Sequence, residues 1–232
     1  MLLPTDIHRE IFSMVGTQLA ARDFFRTAYE NRYTWDAAFP GYTADVTFTH
    51  NGQSHTGQVK VSADLKLEVT GIADETAQKA VHGQLFEVSI HRVRRGFEDT
   101  HGNNTFSYGE TLADGSVEIL MGGKAEGDRY QLKNQEVTMV HRHIHGVVVT
   151  IHTYSSHNTG AGYLSHRYDS VYHDPKTGEQ KGGLSDFEDE YTEVGGYYIL
   201  SRRVIETTIE NGTEMQEDSQ EFVFSNIALL EA

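Results

Sequence analysis

From Gly41 onward the sequence keeps a period of two, and this alternation commits most of the chain to strands with one buried face. Tyr42, Ala44, Val46 and Phe48 alternate with Thr43, Asp45, Thr47 and Thr49. Asn51-Gly52 then supplies a tight turn, which predicts a hairpin returning through Gly57-Gln58-Val59-Lys60-Val61. Leu65, Leu67 and Val69 mark a further strand. Later turn signals fall at Asp114-Gly115, Lys133-Asn134, Gly146, the 158–162 loop, Asp174-Pro175, Gly195-Gly196 and Asn211-Gly212. Connections this short hold no crossover helices, so the strands are expected to pair antiparallel.

Two segments follow a helical period instead. Between Gln18 and Tyr33, Phe24, Phe25, Ala28 and Tyr29 form an apolar stripe. After Asp74, a natural helix cap, Ala77, Val81, Leu85 and Val88 recur at helical spacing and continue toward Ile90 and Val93. Both stripes need a sheet to cover them. The predicted fold is α+β: a large curved antiparallel sheet, a half-barrel meander, wrapped around two main helices. Residues 1–17 read as an N-terminal arm or short helix and residues 18–232 as a single domain.

Charge and composition narrow the function classes. The 232 residues include 34 Asp and Glu against 19 Lys and Arg, a net charge of -15 that repels nucleic acid. The absence of cysteine removes disulfides, thiolate catalysis and Cys-ligated metals. His8-Arg9-Glu10 interrupts the opening residues before a signal-peptide apolar region can form, and no run of about 18 apolar residues follows. The expectation is a cytoplasmic protein without an integral membrane segment. No phosphate loop, dinucleotide fingerprint or G-x-S-x-G elbow is present, so no nucleotide cofactor is implied.

The helix followed by Trp35-Asp36-Ala37-Ala38-Phe39-Pro40-Gly41-Tyr42-Thr43-Ala44-Asp45-Val46, and then by a hairpin with Gly52 and Gly57-Gln58-Val59, resembles the DUF3386 family of cyanobacteria and plants. It is similar, more distantly, to the LolA-like half-barrel of the bacterial lipoprotein carriers and of the violacein-pathway protein VioE. That resemblance implies a concave sheet enclosing helices, with an apolar ligand groove between them in some members. Fold kinship by itself transfers no chemistry.

Among polar features, Met139-Val140-His141-Arg142-His143-Ile144-His145 places three histidines on one face of one strand at intervals of about 6.6 Å. Three readings stand: histidines hydrogen-bonded to neighbouring strands, a divalent metal held by two or three of His141, His143 and His145 with a further ligand, or acid-base and ligand contact. If the parity holds through Gly146, Val147, Val149 and Ile151 share the histidine face, and the histidines line the mouth of an apolar groove.

In Asp186-Phe187-Glu188-Asp189-Glu190-Tyr191, the residues Asp186, Glu188 and Glu190 project together, opposite Phe187, Asp189 and Tyr191. This run reads as solvated negative surface, with Arg202 and Arg203 on a facing strand as counter-charges. From Asp186 to the C-terminus twelve acids face two bases, a net of -10, which suits solubility or a basic protein partner. Arg92, Arg94 and Arg95 form a basic counterpoint, and Tyr163, Tyr168 and Tyr191 belong to an aromatic concentration in the later strands. The function expected is non-catalytic binding or assembly. A small apolar ligand (lipid, isoprenoid or pigment) lies between sheet and helices, touched by His141, His143, Arg94, Tyr163, Tyr168 and Tyr191. The alternative is an enzyme using the strand histidines for metal-assisted or acid-base chemistry in the same groove. The oligomeric state is left open.

Overall fold

The computed structural model describes residues 19–211 and 214–231. The expected arm over residues 1–17 lies outside them. Twelve strands form one antiparallel sheet: β1 (Gly41–His50), β2 (Gln53–Ser62), β3 (Leu67–Thr70), β4 (Asn104–Thr111), β5 (Val117–Gly123), β6 (Arg129–Lys133), β7 (Glu136–Ile144), β8 (Val147–Asn158), β9 (Tyr163–His173), β10 (Gln180–Val194), β11 (Tyr197–Asn211) and β12 (Glu214–Leu229). The helices are α1 (Ala21–Glu30), α2 (Glu75–Arg92) and the short α3 (Phe97–His101).

The spatial order is β3-β2-β1-β12-β11-β10-β9-β8-β7-β6-β5-β4. Every sequential hairpin pairs, and β1 joins β12. The join places Val46 opposite Phe224 and Phe48 opposite Phe222, whose rings stack at 4.7 Å. Such aromatic pairs add about 0.5–1.5 kcal/mol beyond the area they bury. The two edges, β3 and β4, are linked through α2 and α3, so the helical connection travels from one edge of the sheet to the other.

This corrects the expected curved half-barrel. Among the described residues the ladder is open, with β3 and β4 at its edges, and it is not curled around a common helical hub. The reason lies in the cores, of which there are two. In the first, α2 buries Ala77, Val81, Leu85 and Val88 against Val46, Phe48, Val59, Val61, Ile199 and Phe222. In the second, α1 and α3 bury Phe25, Ala28, Tyr29 and Phe97 against Ile119, Met121, Tyr130 and Leu132. Each helix serves its own part of the sheet, which leaves β8 and β9 between them.

The helix boundaries follow local competition for hydrogen bonds. Asp74 accepts from the Ala77 N–H at 2.7 Å and caps α2 as expected. Val93 leaves the helix because its backbone bridges Trp35, whose N–H donates to Arg92 O at 2.8 Å. α1 stops before Tyr33 because the 31–33 backbone pairs with β9, through Tyr33 N to Tyr163 O at 2.9 Å and Tyr163 N to Asn31 O at 3.0 Å. Gly162 permits that approach, having a φ of 138° and no Cβ, which would stand 2.5 Å from Asn31 O. Trp35 and Phe39 stack at 4.0 Å at the corner where the chain enters the sheet.

Two separate cores predict separable responses to truncation. Leu85→Ala and Phe25→Ala should each cost about 2–5 kcal/mol. In native-state hydrogen exchange Leu85→Ala should loosen β1–β3 and β12 first, and Phe25→Ala should loosen β4–β7 first. Identical exchange maps for the two variants would refute two cores.

Candidate functional site

Residues directly opposite one another in a ladder share a face, so the register assigns each side chain to the helix side or the far side. Val140 pairs with Tyr130 and packs into the α1 core, which puts Val140, Arg142 and Ile144 of β7 on the helix side. His141 and His143 therefore point away from the helices. His145 is not on the strand at all: with φ of 48° it forms, with Gly146 at φ 81°, the two-residue turn between β7 and β8. That turn pairs His141 with Thr150 and His143 with Val148, so Val147, Val149 and Ile151 lie on the opposite face from the histidines. The expected shared face is thus corrected, because a two-residue loop exchanges odd and even positions.

On the far face the histidines have local partners. His141 Nδ1 lies 2.9 Å from Thr150 Oγ1, and burial followed by Arg129 and His143 lowers its pKa. His143 Nδ1 lies 3.1 Å from Asp128 Oδ1. His152 Nδ1 lies 3.0 Å from Asp169 Oδ1, and the Tyr154 hydroxyl, whose hydrogen bond to Asp169 raises it to about 12, donates to the same carboxylate. Among the described residues no group of three or more His, Asp or Glu is arranged to hold a metal ion. A depression of about 440 Å³ on this side is bordered by Arg167, Asp186, Glu188 and Arg202, with both arginines already bridged to Glu188.

The helix side carries a denser constellation. Asp189 and Arg203 are directly opposite on β10 and β11 and almost wholly buried. Arg203 donates through Nε to Asp189 Oδ1 at 2.7 Å and through Nη2 to Oδ2 at 2.6 Å. Its remaining donors reach Gln84 Oε1 of α2 and the Tyr168 hydroxyl, each at 2.8 Å, and Glu87 lies 3.5 Å away. Tyr191 Oη is 3.2 Å from both Asp189 Oδ2 and Ser165 O and accepts from Arg92 Nη2 at 3.1 Å. Burial holds the Tyr168 and Tyr191 hydroxyls protonated far above neutrality. Since the bidentate pair satisfies both partners and α2 supplies further acceptors, the charges survive desolvation.

Beside this network β8 and β9 present Val149, Ile151, Ser170 and Tyr172 toward the helix side, in register with one another. None of the four belongs to either core, although Val149 and Ser170 are themselves buried. Tyr172 is 43% exposed. His91, near the end of α2, keeps a solvent-exposed side chain although protein surrounds it. Desolvation by that surrounding protein, followed by Arg92, Arg32, Arg203 and Arg142, lowers its pKa to about 4. These strand residues lie on the helix side of the sheet, between the two cores.

Of the residues expected to form the site, Tyr168 and Tyr191 meet in the buried network. Tyr163 sits elsewhere, its hydroxyl accepting from Val137 N at 3.2 Å. Arg94 is exposed beyond α2, at a pocket of about 50 Å³ shared with Arg32 and Arg95, too small for an organic ligand. Sequence reading missed Asp189, Arg203, Arg92 and His91. Asp189 carried a usable signal, since it shares strand parity with Phe187 and Tyr191, and a carboxylate on an aromatic face must find a buried partner.

The family model described as "Protein of unknown function (DUF3386)" matches residues 16–230. The chain belongs to this family. No curated protein matches. Similar solved structures include MucB in complex with MucA(peri), at 10% identity and a TM-score of 0.23, covering 91% of this chain and 100% of that one. The MucA/MucB complex of Pseudomonas aeruginosa matches at 11% identity and a TM-score of 0.24, covering 91% and 99%. Similarity at this level carries no argument about mechanism. The LolA-like half-barrel assignment is not retained for this DUF3386 protein, in keeping with the open ladder described above. The cytoplasmic expectation is not carried forward: one similar structure contains a partner designated MucA(peri), and likeness at this level assigns this chain no compartment. Among the described residues, no helix is long and apolar enough to cross a membrane.

Two measurements test the site. Asp189→Ala should cost about 3–5 kcal/mol by stranding Arg203, and Asp189→Leu combined with Arg203→Met should recover most of that loss. Equal destabilisation by the single and double variants would contradict the pairing. His101 of α3 is buried against Phe25, Tyr29 and Phe97, and burial, followed by Arg142 and Arg32, lowers its pKa to about 4. The unfolded chain binds its proton near pH 6.5, so this contribution is complete above that value and is lost as pH falls toward 4. Its slope is at most about 1.4 kcal/mol per pH unit. Urea unfolding between pH 7 and 4.5 should fall less steeply for His101→Phe than for the native chain, and parallel curves would exclude His101 as the source.

Proposed function

We propose that this DUF3386 protein is a non-catalytic binding protein that holds a small amphipathic molecule in the helix-side cleft between its two cores. The observation that carries the reading is the placement of Ile151 and Tyr172: they face the helix layer, belong to neither core and keep surface exposed, 43% for Tyr172. Apolar surface left exposed on such side chains contributes about 25 cal/mol per Å² when a ligand covers it. The Arg203–Asp189–Tyr191–Arg92 network stands at one wall and gives the cleft a polar end, the usual composition of a small-molecule site.

The ligand class therefore departs from a purely apolar lipid or pigment toward a molecule with one polar terminus. His141 and His143 lie on the other side of the sheet and take no part in this cleft. The metal-assisted reading would need them beside the ligand.

The neutral fluorescent probe N-phenyl-1-naphthylamine tests the cleft. It should bind saturably at one site per chain, and Ile151→Asp should weaken binding at least tenfold while the thermal melt remains cooperative. Absence of saturable binding, or binding indifferent to Ile151→Asp, would sink the proposal.

A further inference from the structure

With 34 Asp and Glu against 19 Lys and Arg, the chain offers its cations an excess of carboxylates. Arg22, Arg26, Arg142, Arg167, Arg202 and Arg203 each have one within 4.0 Å. Among the described residues, Arg32, Arg92, Arg94 and Arg95 have none, and these four gather where α1 and α2 end and Trp35 bridges Val93. Arg32, Arg94 and Arg95 border one notch of about 50 Å³, together with Tyr29, Thr34 and Gly96. Arg92 is engaged beside it, through a donor to the Tyr191 hydroxyl at 3.1 Å.

The notch stands on a tied backbone. Trp35 N donates to Arg92 O at 2.8 Å, and the Tyr29 hydroxyl donates to Arg95 O at 3.2 Å. Arg32 donates through Nε to Tyr29 O at 3.0 Å and stands 4.0 Å from the Tyr29 ring centroid; among the described residues its Nη atoms have no hydrogen-bond partner. Neighbouring acids are matched by contact: Arg26 reaches Glu30 and Glu98, and Arg22 reaches Glu98. Asp99 adds one negative charge, its Oδ2 lying where a Cβ on Gly96 would meet it at 2.7 Å. Three arginines less this carboxylate leave about two positive charges at the notch. Their field reaches His91, since after desolvation Arg92 and Arg32 are the next causes lowering its pKa.

We infer that Arg32, Arg94 and Arg95 form a binding site for a phosphoryl dianion, either inorganic phosphate or the phosphate of a small soluble monoester whose organic part stays outside the notch. A space this small holds one tetrahedral oxyanion and no organic body. Guanidinium forks from three side chains match the several oxygens of a phosphoryl group, whereas a planar carboxylate occupies a single fork. Two negative charges also balance the notch and relieve a repulsion among the arginines that no carboxylate of the described chain relieves. The site goes beyond the amphiphile reading above and does not depend on it.

Isothermal titration calorimetry on the full chain tests the site, in phosphate-free buffer of fixed ionic strength, with inorganic phosphate, glycerol 3-phosphate and acetate as probes. Phosphate should bind saturably at one site per chain, about tenfold or more tighter than acetate. Arg94 and Arg95 are exposed, so Arg94→Gln combined with Arg95→Gln should keep native melting and weaken phosphate about tenfold or more. Arg129→Gln removes a charge from the far face of the sheet, where Arg129 pairs with His141, and should leave binding unchanged. Tighter binding of glycerol 3-phosphate than of phosphate identifies a monoester as the occupant, and equal or weaker binding identifies the inorganic ion; either upholds the site. Absence of saturable binding of both, acetate affinity equal to that of phosphate, or phosphate affinity that survives the double arginine variant overturns it.

Discussion

The pairing of β1 with β12 is the constraint from which the rest of the architecture follows. Each other ladder joins strands consecutive in the chain and needs only a short turn. By inserting itself between the N-terminal hairpin and the long meander, this one ladder sends β3 and β4 to opposite edges. The segment between them must then traverse the helix face, which is how α2 comes to lie over one core and α3 over the other. The division into two cores follows from that traverse, since one helix of 18 residues extends about 27 Å and cannot cover twelve strands spaced about 4.8 Å apart.

Local chemistry made much of this readable. Asn51-Gly52 placed the first hairpin, Asp74 placed the cap of α2, and Ala77, Val81, Leu85 and Val88 marked its buried face. What escaped was long-range or depended on a single residue of register. No pattern within β1 names β12 as its neighbour, so the open ladder with two cores was read as a curved sheet around one hub. The two-residue turn at His145-Gly146 reversed the parity of β8 and moved the histidines away from the apolar floor they seemed to share. Asp189 looked like one more acid in an acidic run, and Arg203 like one more surface counter-charge, until the register set them opposite each other under α2.

The buried pair also has a role in specifying that register. A slip of one residue between β10 and β11 would bring the helix-facing parity to the solvent side and strand charges against apolar neighbours. The ladder here contains a bulge, with Ser201 left over between Leu200 and Arg202. Bulged ladders have an alternative pairing close at hand, and an ion pair that is satisfied in only one register penalises the other. Its net contribution to stability need not be large for this effect, because the penalty falls on the misaligned state.

The stacked Phe48 and Phe222 sit in strands made far apart in time. At ribosomal rates of about 5–20 residues per second, the first hairpin waits roughly 10–35 seconds before β12 is synthesised, with Val46 and Phe48 lacking their permanent neighbours throughout. Completion of this part of the core is therefore set by synthesis of the last strand.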